Sequence, residues 1–357
     1  MYYYQLIMQT KIDNWFLSNK LIQRNLSSSN LSDLSYFYLH CEKNMYTGCW
    51  KKELPCNCQF QKEIKWKKKG TITLCSNLFV DKDTEIQNTK IQDTKIQDTK
   101  NRYIPILKSN LQKCIRRSDT ENALKTAKTM CTLNFLEFIR RLSIIMLEDA
   151  VLHESFMVLS WLIAAYPEYK PSINQVQWIY GIVKYLADLP FRDNYSYLDT
   201  FSIKDLYCDN LSEKHLSILY SLQFRSSYGG LKGDMKMIHS LTDIWKTRML
   251  SNNTDFLLYL TNTIKFPKTK YKNILKTEIN TAAVDFHCYP KMLSILHTRF
   301  PEYSVETLQK TIWYHRSRNT NKKLLEGKDS YCNEYIEIWT LIEEETEKIS
   351  KIFLQRI

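Results

Sequence analysis

Glycine and proline are scarce, at 7 and 8 of 357 residues. Sheet-rich folds draw on glycine at many tight turns, so this scarcity argues against them and for long helices joined by polar loops. Long hydrophobic runs are missing as well. The most apolar stretch, 156–166, is shorter than the roughly 20 residues a bilayer-spanning helix needs, and Glu148, Asp149 and Glu154 precede it. No membrane segment is therefore expected. The opening Met1-Tyr-Tyr-Tyr-Gln-Leu-Ile-Met8 has no basic stretch, apolar run and small-residue cleavage site, so a secreted protein is not expected.

Two chemical signatures are also lacking. A phosphate-cradling G-x-x-x-x-G-K-[ST] loop does not occur, and Gly70-Thr71-Ile72-Thr73 has neither the second glycine nor the lysine. The ten cysteines lie at 41, 49, 56, 58, 75, 114, 131, 208, 288 and 332, and the first four are separated by seven, six and one residues. Structural zinc sites use C-x(2–4)-C knuckles, so no metal is expected, nor any other cofactor. The cysteines read as reduced thiols of an intracellular protein, nuclear or cytoplasmic.

What is abundant is lysine. Lys and Arg number 50 against 38 Asp and Glu, a formal charge of +12 with a pI near 9.0. Such a surplus favours a polyanionic partner, nucleic acid first. With 44% hydrophobic and 25% charged residues, the chain can bury a sizeable core.

Along the chain, 1–85 reads as a mixed N-terminal region in which a small hairpin could form. Residues 86–100 repeat Ile-Gln-Asn/Asp-Thr-Lys three times, too polar to bury a face, and 86–103 is expected to be a disordered linker. Helical spacing then dominates. Ser118 followed by Glu121 fits a capping box, 135–166 is apolar on several faces as in a buried bundle, and Ser172 opens a further helix. The fold class expected is mainly α: a helical domain at 104–192, and a second at 193–357 with a glycine-rich loop and a C-terminal amphipathic helix.

Within 109–192, Lys113-Cys-Ile-Arg-Arg-Ser-Asp119 is followed by Ala123-Leu124, Ala127 and Met130. A second element reads Ile139-Arg140-Arg141-Leu142 through Glu148-Asp149, and Ala164-Ala165-Tyr166 and 183–190 continue it. This run resembles the helical C-terminal region of the replication-associated recombination and Werner-helicase-interacting AAA+ ATPases, which are clamp-loader-like. The resemblance implies an all-helical, collar-like domain that joins subunits, here without the ATPase module, and hence self-association through 104–192. Arg140, Arg141, Glu148 and Asp149 are expected to form structural ion pairs.

The segment 225–234 holds three of the seven glycines. One reading is a helix-joining turn with Asp234 as N-cap. The other is an anion site, in which Arg225, Ser227, Tyr228, Gly229, Gly230, Lys232 and Gly233 would meet a phosphate. Arg316 and Arg318, beside Trp313 and Tyr314, fit a phosphate-and-base contact surface. Asp285, His287 and His315 are the candidate acid–base residues. Three functions remain open: a non-catalytic, oligomerising scaffold of DNA replication or repair that binds nucleic acid; a nucleic-acid-processing enzyme holding a phosphate at 225–234; and a structural, virion-type protein.

Overall fold

The computed structural model describes residues 34–66, 70–79, 94–193, 211–251, 254–265, 277–325 and 335–356. It is mostly helical, with a small N-terminal mixed sheet. Strands β1 (Tyr36–Glu42), β2 (Met45–Lys51), β3 (Phe60–Trp66) and β4 (Gly70–Ser76) lie in the order β2-β1-β4-β3. Lys43 and Asn44, at φ 49° and 63°, make the two-residue turn between β1 and β2, the left-handed geometry that twisted hairpins favour. β1 and β4 pair in parallel, while β3 and β4 pair antiparallel. Alternation gives the sheet one apolar face, with Phe37, Leu39, Trp50, Ile64, Trp66, Ile72 and Leu74 all buried.

That face packs on helices. After the sheet come α1 (Thr94–Arg116), α2 (Thr120–Leu133), α3 (Phe135–Asp149), α4 (Ser155–Ala165), α5 (Ile173–Asp188), α6 (Glu213–Arg225), α7 (Lys232–Leu250) and α8 (Thr254–Leu260). The C-terminal part holds α9 (Asp285–Arg299), α10 (Val305–Ile312), a π-turn (Trp313–Ser317) and α11 (Ile336–Leu354). Two-residue strands β5 (Phe191–Arg192) and β6 (Lys323–Leu324) pair in parallel. All eleven residues of α4 are buried. Trp161 Nε1 donates to Phe37 O at 2.8 Å, and a side chain at Gly48 would lie 2.8 Å from Met157 Cβ. Trp50 Nε1 donates to Ser221 Oγ and Trp66 Nε1 to Ser227 Oγ, at 3.0 and 2.8 Å, fastening the sheet to α6 and the turn after it.

The all-round apolar character of 156–165 is thus used inside one chain. In 104–192 the only exposed large hydrophobic among the described residues is Ile173. Residues 34–357 cluster as one unit, and α1 begins at Thr94, inside the segment read as a linker. Two caps also differ from expectation. Ser118 adopts φ 60°, and the α2 cap is Asp119, whose side chain accepts from Asn122 N. Helix α7 starts at Lys232 with Leu231 at its N-cap, so Asp234 lies in the first turn instead of capping it.

Candidate nucleic-acid interface

Helix α1 presents Lys108, Gln112 and Arg116 four residues apart, hence on one face, and that face meets α3. Lys108 pairs with Glu137, which also accepts from Arg140 at 3.2 Å. Gln112 Nε2 donates to Glu148 at 2.8 Å and Asp149 at 2.7 Å, and its carbonyl accepts from Arg141. Arg116 Nε reaches Asp149 at 2.5 Å. Arg141, Glu148 and Asp149 therefore bond α1 through Gln112 and Arg116, whereas Arg140 pairs with Glu137 within α3. Burial pushes the Glu148 carboxyl up to about 7 against the pull of Arg141.

The glycine-rich loop sits beside this seam. Arg225 is 1% exposed. Its Nη1 donates to Tyr228 O at 3.3 Å and Gly229 O at 2.6 Å, and its Nε to Ser143 Oγ at 3.3 Å. Burial, then Arg140, brings its pKa down to about 10. Arg225 is an internal clamp holding two loop carbonyls, not a guanidinium available to a phosphate. Ser227 Oγ accepts from Trp66 and donates to Gln223 O, and the Tyr228 ring stacks on Phe224 at 5.1 Å, so both serve the interior too.

Gly229 and Gly230 take φ 69° and 135°, and a Cβ would lie 2.8 Å from Arg140 Nη2 and 2.7 Å from Met235 Cε. These two positions need glycine. Gly229, Gly230, Lys232 and Gly233 are exposed. Among the described residues, the backbone amides of 229–234 have no acceptor, and the last three open the positive end of α7. Asp234 turns inward, its pKa raised by burial against Arg141, Arg225 and Lys108.

On the other side of α1, Asp285 is 2% and Arg316 5% exposed. Arg316 Nε lies 2.9 Å from both Asp285 oxygens, and its other nitrogens reach Glu347 and Ser350 at 3.1 Å. Burial opposes the Arg316 charge, but Asp285 and Glu347 outweigh it and raise its pKa. The reading of Arg316 as a phosphate contact is corrected: this guanidinium is consumed in the core. Asp285, so enclosed, cannot act as an acid–base group on a bound substrate. His287 stacks on Phe353 at 5.9 Å and His315 on Trp339 at 4.8 Å, so the three candidates are placed against different partners. Cys288 Sγ donates to Val284 O at 3.3 Å, with its thiol raised by burial.

Arg318 is partly exposed. Its guanidinium lies over Trp313 at 5.1 Å and Tyr314 at 5.4 Å, and Tyr314 in turn stacks on Tyr335 at 5.4 Å. Among the described residues, Arg318 has no carboxylate partner. The π-turn sets this geometry, and Arg318 N closes it on Trp313 O at 2.8 Å. The result is a half-exposed ledge of aromatic rings topped by a cation.

Sequence reasoning missed two interior lysines. Lys322 Nζ donates to Leu186 O, Ala187 O and Leu189 O, capping the end of α5, while Thr320 and Asn321 bond the Arg116 and Arg117 carbonyls. Lys113 is buried beside Asp285. Nothing in Asn319-Thr-Asn-Lys322 distinguishes it from a solvated loop. The cleft between β2 and the starts of α4 and α6, lined by Cys49, Lys51, Glu154, Met157, Lys214 and Ser217, holds none of the predicted site residues.

Comparison with protein-family models, with curated proteins and with solved structures found no match for this chain. Among the described residues, no helix is long and apolar enough to cross a membrane, and no three His, Cys, Asp or Glu side chains converge as metal ligands.

Proposed function

We propose that the chain is a non-catalytic helical scaffold of DNA replication or repair, which contacts nucleic acid through the ledge at 313–318 and the exposed loop at 229–234. The observation that carries this reading is Arg318: a guanidinium with no carboxylate partner among the described residues, held over two aromatic rings and suited to a phosphate with a base stacking alongside. Lys232 and the open amides of 229–234 supply a second anion contact. Among the described residues six cations and three carboxylates are buried, a net of +3, so most of the +12 surplus falls on the rest of the chain. The enclosure of Asp285 by Arg316 speaks against the enzymatic alternative.

The replication or repair setting, and self-association through 104–192, rest on the collar resemblance. With Ile173 the only exposed large hydrophobic among the described residues there, such an interface would be polar, and sedimentation of the full chain over a range of concentrations tests it. The nucleic-acid reading is tested by fluorescence anisotropy of labelled single-stranded and duplex DNA across about 50–200 mM salt. Affinity should fall steeply with salt, and the DNA should be recovered intact. No binding even at the lowest salt would end the proposal.

A further inference from the structure

We propose that α11 is an interaction surface for a second copy of this chain, the two helices lying antiparallel about a twofold axis. The inward face of α11 buries Ile342, Thr346, Ile349 and Ser350 and packs into the C-terminal part of the fold. Its other face is unusual. Of the eleven exposed large hydrophobics among the described residues, Ile336, Leu341 and Ile352 lie on α11, and no other element carries more than one. Leu341, Glu344, Lys348 and Ile352, all exposed, recur at spacings of three, four and four, so they form a single stripe.

The charges on this helix are segregated. Glu337, Glu343, Glu344, Glu345 and Glu347 all precede Lys348 and Lys351. The helix dipole favours such polarity only in the first and last turns, and 343–347 lie mid-helix. Glu345 pairs with Arg299, and Glu347 with Arg316 and Lys351, whereas Glu344 and Lys348 have no ion-pair partner among the described residues.

A parallel pair of such helices would set carboxylate against carboxylate. An antiparallel pair sets each copy's Glu344 opposite the partner's Lys348, twice about the axis, and brings each Leu341 within one residue of register with the partner's Ile352. The stripe is thus its own complement, with an apolar contact at each end and two opposite-charge contacts at the centre. It carries no net charge on a chain of formal charge +12, so two copies meet here without like charges facing each other. One helix face is smaller than the ~800 Å² per partner of a standard interface, so the dimer should be weak. It uses none of residues 104–192 and needs no nucleic acid.

The test is sedimentation of the full chain without nucleic acid, from about 1 μM to about 1 mM. It compares the parent, Glu344→Lys, Lys348→Glu and an equimolar mixture of the two variants. Symmetry counts each reversal twice, so either variant alone should dimerise at least about tenfold more weakly than the parent. In the mixture the two lysines of one variant face the two glutamates of the other, so mixed dimers should form about as well as the parent's. Both variants should melt like the parent, since both positions are exposed. A parent that stays monomeric at about 1 mM would overturn the proposal. Reversals that leave dimerisation unchanged, or a mixture that dimerises no better than either variant alone, would overturn it equally.

Discussion

Replacing Lys113 by methionine should make the protein more stable at neutral pH. Lys113 lies near the end of α1, 4% exposed. Its Nζ donates to Ser109 Oγ at 2.9 Å and lies 5.6 Å from the Phe286 ring centre. Burial brings its pKa from 10.5 down to about 7; Asp285 opposes the shift, while Arg116, Arg117 and Arg316 add to it. Between those two values the unfolded chain holds the proton and the folded chain does not, so stability rises with pH across that window. The contribution is complete above 10.5 and is lost as pH falls through 7. At about 1.4 kcal/mol per unit, the interval is worth up to ~5 kcal/mol. Lys113→Met keeps the apolar stem and removes the cost. Its gain at pH 7 should be about 3–5 kcal/mol, shrinking as pH rises toward 10. Urea unfolding followed by circular dichroism at pH 7, 8 and 9 measures both. If the variant is less stable at pH 7, or the difference is flat with pH, the ammonium is charged in the fold and the reasoning fails.

Asp285→Ala should cost about 3–5 kcal/mol by stranding Arg316, whereas Asp285→Leu combined with Arg316→Met should recover most of that loss in the same urea assay. Gly229→Ala, at φ 69° and against Arg140, should cost at least ~1–2 kcal/mol, seen as a lower melting temperature, while Lys232→Ala should melt like the parent. Glu148, raised from 4.5 to about 7, contributes stability that is present below pH 4.5 and lost as pH rises through 7. Glu148→Gln should therefore match the parent at pH 4 and exceed it by about 2 kcal/mol at pH 8, a figure discounted for the partial exposure of this side chain.

Legibility followed the range of the interaction. Ser172 caps its helix within three residues, and the buried helices of 135–165 show in their apolar density, because both signals are local. The Asp285–Arg316 pair bridges 31 positions and Lys322 reaches α5 across more than 130, and no local pattern separates such cations from surface ones. Arg225 misled for the same reason: a guanidinium next to glycines reads as a phosphate ligand until its acceptors prove to be the loop's own carbonyls. The parallel β1–β4 pairing joins residues over 35 positions apart, so only a short hairpin was visible where a four-stranded sheet stands. At Thr94, helix α1 extends into the polar repeat because elongating an existing helix costs far less than nucleating one.

The central claim is that nucleic acid meets the half-exposed ledge and the open loop. The most direct measurement is the slope of log affinity against log salt for the parent, Arg318→Ala and Lys232→Ala, with melting temperatures taken alongside. Each variant should weaken binding and make the slope shallower by about 0.7–0.9 while melting like the parent. Binding with an unchanged slope in both variants would place the contact elsewhere and contradict the account.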